Sequence, residues 1–281
     1  MKTPKRLESL VEDGLVDEVV RPLMSGKEAA VFIVRCGSDI RCAKVYKDPE
    51  RRSFKQAVHY REGRKGRNSR RSRAMQNGTK FGRKQREHEW HTSEVDALYL
   101  LADSDVRAPT PYGFFDGVLL MELVVDGDGQ VAPRLNDVSM TAEIALEHHA
   151  MVMRYVTRML CAGLVHGDLS EFNVLVDANG PVIIDLPQAV DAAANNHAQW
   201  MLARDINNIT AYYGLYAPEL LATKYAKEIW GLYEAGKLRP EIDLTGHFTE
   251  STQAVDVDAV LENIEAVLTE EQERQQRLHA S

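Results

Sequence analysis

Leu164-Val-His-Gly-Asp-Leu-Ser-Glu-Phe-Asn173, followed by Val182-Ile-Ile-Asp185, decides how this chain is read. It presents a carboxylate, an amide five residues later and a second carboxylate twelve residues after that. Phosphoryl transfer from a nucleotide needs these parts: one group to orient the attacking hydroxyl and two oxygen ligands for magnesium. Asp168 takes the catalytic role, and Asn173 and Asp185 hold the metal. The apolar residues between them, Val174 to Val176 and Val182 to Ile184, predict two short strands joined at Asp177-Ala-Asn-Gly180, since Asn-Gly is a strong hairpin turn. A hairpin there carries Asn173 at one end and Asp185 at the other, so both ligands can face one cleft.

Working outward, the first half predicts strands and the second half helices. Leu7 to Val20 reads as a short helix, a glycine break and an extended lead-in. Ser25-Gly-Lys-Glu-Ala-Ala-Val-Phe32 is a turn entering an apolar strand, and Arg41-Cys-Ala-Lys-Val-Tyr46 is the returning strand. Glu87 to Ala102 is helical in pattern, with Trp90, Val95, Leu98 and Leu101 sharing a face. After the Ala108-Pro-Thr-Pro111 break, Tyr112 to Val125 gives two strands around Asp116-Gly117, with Val118 to Val124 expected to be almost wholly buried. Ala142 to Ala162 is a long amphipathic helix, and Ala198 to Tyr213, Pro218 to Ala235 and Val257 to Gln276 predict further helices. The fold class is α+β: a two-lobed, protein-kinase-like arrangement with a β-rich N-terminal lobe over 1–121 and a hinge and helical C-terminal lobe over 122–281. The turn Asp126-Gly-Asp-Gly129 marks the boundary, and a cleft lies between the lobes.

The net charge of −8 conceals an asymmetry. Arg51 to Arg86 holds fourteen Lys or Arg against one acid, Glu62, a net of +13, which leaves 20 basic and 41 acidic residues, or −21, elsewhere. An acidic body with one basic segment suits an anionic partner such as RNA or a ribosomal particle. Aromatic residues are sparse in the segment (Phe54, Tyr60, Phe81), so contacts would be mainly to phosphates and salt-sensitive. No run of eighteen apolar residues occurs and no signal-peptide pattern opens the chain, which excludes a membrane partner of that kind. Three cysteines without a CxxC pair predict a reduced, cytoplasmic protein.

These motifs resemble the RIO-type atypical protein kinases. His166-Gly-Asp-Leu-Ser-Glu-Phe-Asn173 looks like that family's catalytic loop and Ile184-Asp-Leu186 like its metal loop. Ser25-Gly-Lys-Glu-Ala-Ala-Val31 resembles its reduced phosphate-binding loop and Ala43-Lys44-Val45 its nucleotide lysine. The resemblance implies that Lys44 contacts the α/β-phosphates of ATP and pairs with a helix carboxylate, Glu94 ahead of Glu89. It implies that Ser25, Gly26 and Lys27 grip the phosphates, that backbone groups at Glu122 and Val124 meet the adenine beside Met121, and that Val31 and Ala43 cover its faces. Mg2+ is the implied cofactor, with Mn2+ as its substitute. Gly167 stands where ordinary kinases carry an arginine, and Ala217-Pro-Glu219 is not expected to end an activation segment.

Several residues have two readings. Ser170 either approaches the γ-phosphate or caps its turn. His166 is read as a packed loop residue, because Asp168 already fills the role of base. His88 and His91 lack a third metal ligand nearby, and His148-His149 is read as a solvated helix face. The function expected is serine protein phosphorylation, in trans or of the enzyme itself, with an RNA- or ribosome-associated ATPase as the close variant. Small-molecule kinases of the choline or aminoglycoside type share the His-Gly-Asp loop but lack a Gly-Lys-Glu-Ala loop. A non-catalytic RNA-binding scaffold would not need Lys44, Asp168, Asn173 and Asp185 together.

Overall fold

Strand β2 (Ala29–Cys36) is apolar on both faces, so its sheet must be covered on both sides. Alternate residues Ala30, Phe32 and Val34 join Leu7 and Leu10 in one cluster, while Ala29 belongs to the main core. The outer cover is helix α1 (Lys5–Glu12), whose Leu7 and Leu10 are fully buried. Gly14, at φ +72°, ends that helix in a conformation glycine adopts without strain. The chain then enters β1 (Glu18–Ser25), a full strand where the sequence predicted only an extended lead-in. β1 pairs with β2 alone, and this edge position tolerates Pro22, where the register shifts.

The computed structural model describes residues 4–26, 29–47 and 94–249. By internal contact the chain divides into Met1–His247 and Phe248–Ser281, and the elements of the fold all belong to the first. β2 turns through Gly37 (φ +64°) into β3 (Asp39–Tyr46). Helix α2 (94–103) follows, then β4 (Pro111–Phe115) and β5 (Val118–Glu122). The five strands form one antiparallel sheet in the order β1-β2-β3-β5-β4. Burial along β5 stops earlier than expected: Val118, Leu119 and Leu120 are buried, but Met121, Glu122 and Leu123 are half-buried. Met121 and Glu122 are still paired with β3, and the chain leaves the sheet after Glu122.

Helix α3 (Ala142–Cys161) opens with the Thr141 hydroxyl accepting from the Ile144 N–H at 3.4 Å. Its buried positions, Ala145, His149, Val152, Met153, Val156 and Leu160, recur at three and four residues and form the spine of the main core. His149 therefore corrects the expectation of a solvated face. It lies inside, bonded to the Thr210 hydroxyl at 3.0 Å, and burial lowers its pKa to about 4, so it is neutral.

After α3 come β6 (Leu164–Val165), β7 (Val174–Asp177), β8 (Gly180–Ile183) and β9 (Val190–Asp191), then α4 (Ala198–Tyr213). β7 and β8 form the hairpin expected from Asp177 to Gly180. The helix expected from Pro218 to Ala235 is two elements, a 3-10 turn (Pro218–Ala222) and α5 (Tyr225–Glu234). Thr223 is extended and the Lys224 N–H donates to the Gly246 carbonyl at 2.7 Å, which breaks the helical ladder. No described helix is long and apolar enough to cross a membrane. The helix expected at Val257–Gln276 and the segment Arg51–Arg86 lie outside the described residues.

Candidate active site

Strand parity determines which N-terminal side chains reach the cleft. Lys44 pairs with Val31 across β2–β3 and with Leu119 across β3–β5, so these three share a face. The Lys44 ammonium lies 2.6 Å from Glu94 Oε1 on α2 and 2.8 Å from Asp185 Oδ1. The Tyr46 hydroxyl donates to the other Glu94 oxygen, so that buried carboxylate is held on both sides. Burial pulls the Lys44 pKa down, but Glu94 and then Asp185 outweigh it and hold the ammonium well above its usual value. Glu94 is thus the partner of the lysine, and Glu89 lies outside the described residues.

Ala43 corrects another expectation. It pairs with Phe32 and Leu120 and is wholly buried in the cluster formed with Leu7 and Leu10, on the face away from Lys44. It cannot cover a base in the cleft. The residue two before the lysine, Cys42, has the right parity: it sits between Ile33 and Met121 on the neighbouring strands. Burial pushes the Cys42 thiol up to about 12, so it is a small apolar wall and no nucleophile.

The C-terminal side is built by the hairpin. Val174 pairs with Ile183, and the Ile184 N–H donates to the Asn173 carbonyl at 3.0 Å, bringing Asn173 and Asp185 to the same end. Asp185 has φ +66°, a left-handed turn that projects its half-exposed carboxylate toward Lys44. Burial pushes its pKa up, but the Lys44 charge and hydrogen bond hold it below the usual carboxylate range.

Asp168 is oriented by its neighbours. The Asn173 amide donates to the Asp168 carbonyl at 2.8 Å and to its Oδ2 at 3.4 Å, and Gln188 Nε2 donates to the same Oδ2 at 3.2 Å. Oδ1 is thereby left to meet a hydroxyl. Burial raises the Asp168 pKa, with His166 and Arg204 opposing. His166 is packed as expected: its Nδ1 accepts from the Asp168 N–H at 3.2 Å, and its Nε2 lies 3.0 Å from the Ile184 carbonyl.

The loop hangs from α4. Asp205 Oδ2 accepts from the Gly167 N–H at 2.8 Å, while Arg204 donates to the Gly167 carbonyl. Burial raises Asp205 to about 6 against the opposing charges of His166 and Arg204. Sequence reasoning missed Asp205, although an acid inside the apolar stripe of Leu202, Ile206 and Ile209 was a legible signal. It also missed Arg107, which bonds Glu122 at 2.9 and 2.7 Å and Asp177 at 3.1 and 3.0 Å, tying the end of β5 to the hairpin. No local pattern marks that pairing, which joins residues 15 and 70 apart.

At the hinge, the Glu122 N–H donates to the Thr110 carbonyl at 2.8 Å, and the Val124 carbonyl accepts from the Ala132 N–H at 3.0 Å. Of the expected adenine contacts, the Glu122 carbonyl and the Val124 N–H are therefore the ones left for a base. Leu175, half-buried against Val124 and Val182, forms the opposite wall and was also missed. Ser25 and Gly26 lie at the end of β1, where Lys47 Nζ bonds the Gly26 carbonyl at 2.5 Å, and Lys27 lies outside the described residues. The Ser170 carbonyl accepts from the Asn173 N–H at 2.9 Å, and its side chain lines a groove of about 490 Å³ with Glu171, Asn208, Tyr212 and Leu215. Among the described residues no hydrogen bond from its hydroxyl caps the turn.

The donor set fits magnesium. Asn173 spends its NH2 group on Asp168, which leaves its carboxamide oxygen for a metal at the end of the hairpin that also carries Asp185. Two hard oxygens, completed by substrate phosphates and water, are how this ion is usually held. Among the described residues no group of three or more His, Cys, Asp or Glu forms a separate metal cage.

A family model, the RIO domain, matches residues 30–226. The RIO-type serine/threonine-protein kinase Rio1 of Haloferax volcanii is 35% identical over 205 residues, covering 73% of this chain and 66% of its own. The serine/threonine-protein kinase RIO1 of Homo sapiens is 28% identical over 214 residues, 75% of this chain and 36% of its own. The chain thus spans less than two thirds of the length of these relatives. The Rio2 kinase of Chaetomium thermophilum, solved as an ADP/Mg2+-phosphoaspartate complex, superposes with a TM-score of 0.53 at 21% identity. That alignment covers 83% of this chain and 72% of that one, a likeness of fold.

Proposed function

We propose, for a chain that belongs to the RIO domain family, that it is an ATP- and magnesium-dependent serine protein kinase acting on another protein or on itself. The observation that carries this reading is Lys44 held between Glu94 and Asp185 at 2.6 and 2.8 Å, facing the loop that orients Asp168. The phosphates of ATP enter beneath Ser25 and Gly26, and Lys44 turns from Asp185 toward them while Glu94 keeps its stem in place. Val31, Cys42 and Met121 wall the base from the sheet and Leu175 from the hairpin. Asn173 and Asp185 would hold Mg2+, which neutralises charge on the phosphates, and an all-oxygen set also accepts Mn2+. Asp168 Oδ1 accepts the hydrogen bond of the acceptor hydroxyl and aligns it for in-line attack. Its raised pKa suits it to take the proton late in transfer.

Asp168→Asn keeps the shape and removes the acceptor charge. Turnover should fall about a hundredfold or more with ATP affinity little changed; unchanged turnover would remove Asp168 from the mechanism. A second reading, hydrolysis of ATP through an aspartyl phosphate, is favoured by the ionised, half-exposed Asp185 carboxylate. There the bond from the γ-phosphorus to ADP breaks as one to the Asp185 oxygen forms, and water later releases phosphate. Hydroxylamine-labile label on the protein identifies that route, and acid-stable label excludes it as the main one.

The +13 segment Arg51 to Arg86 supports association with RNA or a ribosomal particle. Deleting residues 63–82 should weaken RNA binding and flatten its salt dependence while sparing basal ATP turnover; RNA affinity that survives the deletion contradicts this. A cytoplasmic location fits the three unpaired cysteines.

A further inference from the structure

Arg134 is a charged residue, among the described ones, that reaches the cleft face of β1 and has no part in the mechanism proposed. Its backbone is fixed on two sides. The Ala132 N–H donates to the Val124 carbonyl at 3.0 Å, and the Val176 N–H donates to the Pro133 carbonyl at 2.9 Å. Arg134 itself forms a bridge with Leu175, the wall beneath the base, and the next residue, Leu135, is fully buried. The start of the side chain is therefore set by the hinge, the hairpin and the core together.

From that anchor the side chain crosses to the other lobe. Its Nη2 lies 2.9 Å from Met24 Sδ, on the cleft face of β1 opposite Val31 and next to Ser25 and Gly26. Among the described residues this thioether is the only hydrogen-bond partner of the guanidinium. Sulfur of this kind is a weak acceptor, and five N–H donors in a planar fork are made for carboxylate or phosphate. The guanidinium thus reaches from Leu175 on the hairpin to the end of β1 that carries Ser25 and leads to Gly26.

We propose that Arg134 binds the phosphate chain of the nucleotide from the C-terminal side, exchanging the Met24 sulfur for phosphate oxygens when ATP enters. This rests on the reading of the cleft as an ATP site. The contact closes the mouth of the cleft opposite Ser25 and Gly26, and it supplies a positive charge that is not already neutralised, as Lys44 is, by Glu94 and Asp185. A guanidinium fork paired with phosphate is among the stronger hydrogen-bonded contacts.

The test compares ligands with and without phosphates on the whole 281-residue chain. Affinities for ADP with Mg2+ and for adenosine are measured by calorimetry for wild type, Arg134→Gln and Arg134→Lys, with melting curves for each. The expected result is an ADP affinity lowered about ten- to hundredfold in Arg134→Gln, adenosine affinity unchanged, and partial recovery in Arg134→Lys. Equal ADP affinity in wild type and Arg134→Gln overturns the proposal while leaving the ATP site intact. A parallel loss of ADP and adenosine also overturns it, because the residue would then act through the hinge or the fold. Wild type that binds neither ligand overturns the ATP-site reading together with this one.

Discussion

Strand β3 and the catalytic loop both supply the cleft, yet they differ in what fixes each residue's role. In the loop and the hairpin that follows it, the two carboxylates Asp168 and Asp185 and the amide Asn173 are told apart by functional group and by their spacing along the chain. In the strand, Cys42 and Ala43 are both small and apolar, and only parity distinguishes a wall of the cleft from a plug of the outer core. The pairing of Lys44 with Val31 and Leu119 settles it: Cys42 faces the cleft and Ala43 faces α1. A period of two makes a one-residue shift a change of face.

The largest expected effect tests the strand. Cys42→Phe places a ring where the base must lie, and ATP binding should be lost at millimolar concentration while the nucleotide-free protein still unfolds cooperatively. Normal ATP affinity in that variant would mean the face has been misassigned.

The next tests how the loop is anchored. Asp205 stands at about 6 when folded, against about 3.9 unfolded, so the folded state holds its proton more tightly. That contribution is present in full below about pH 4 and is lost as pH rises through about 6, a difference of about 3 kcal/mol for a shift of roughly two units. The stability of wild type relative to Asp205→Asn should therefore fall by that order between pH 4 and 7, read from urea unfolding at each pH. A pH-independent difference would show that Asp205 keeps an ordinary pKa.

The smallest is the mirror image of the first. Ala43→Leu overpacks the α1 cluster and should cost about 1–3 kcal/mol of stability, with the ATP KM of the remaining folded protein unchanged. A raised KM at full stability would reverse the assignment of the two faces.

Much of the molecule was legible before its structure. The hairpin came from Asn179-Gly180 between apolar runs and α4 from its helical pattern, while the Lys44 to Glu94 pair came from the resemblance to the RIO-type kinases. What escaped has two physical causes. Arg107 joins Glu122 to Asp177, and Arg134 reaches Met24 across 110 positions, so neither leaves a local pattern. His149 was misread because acidic neighbours suggested water, whereas its place in the three-four repeat of Ala145, Val152 and Val156 put it in the core. Asp205 was visible in the same way, as an acid on an apolar face, and buried acids of that kind are worth weighing as loop anchors.

The account rests on phosphoryl transfer from ATP to protein through Asp168. The most direct measurement incubates wild type and Asp168→Asn with γ-labelled ATP and Mg2+ and follows protein-bound label, its acid stability and free phosphate. Acid-stable label on serine in wild type, with a loss of about a hundredfold in the variant, is the predicted result. Label of equal extent in both proteins, or label found only on a small-molecule acceptor, would contradict it.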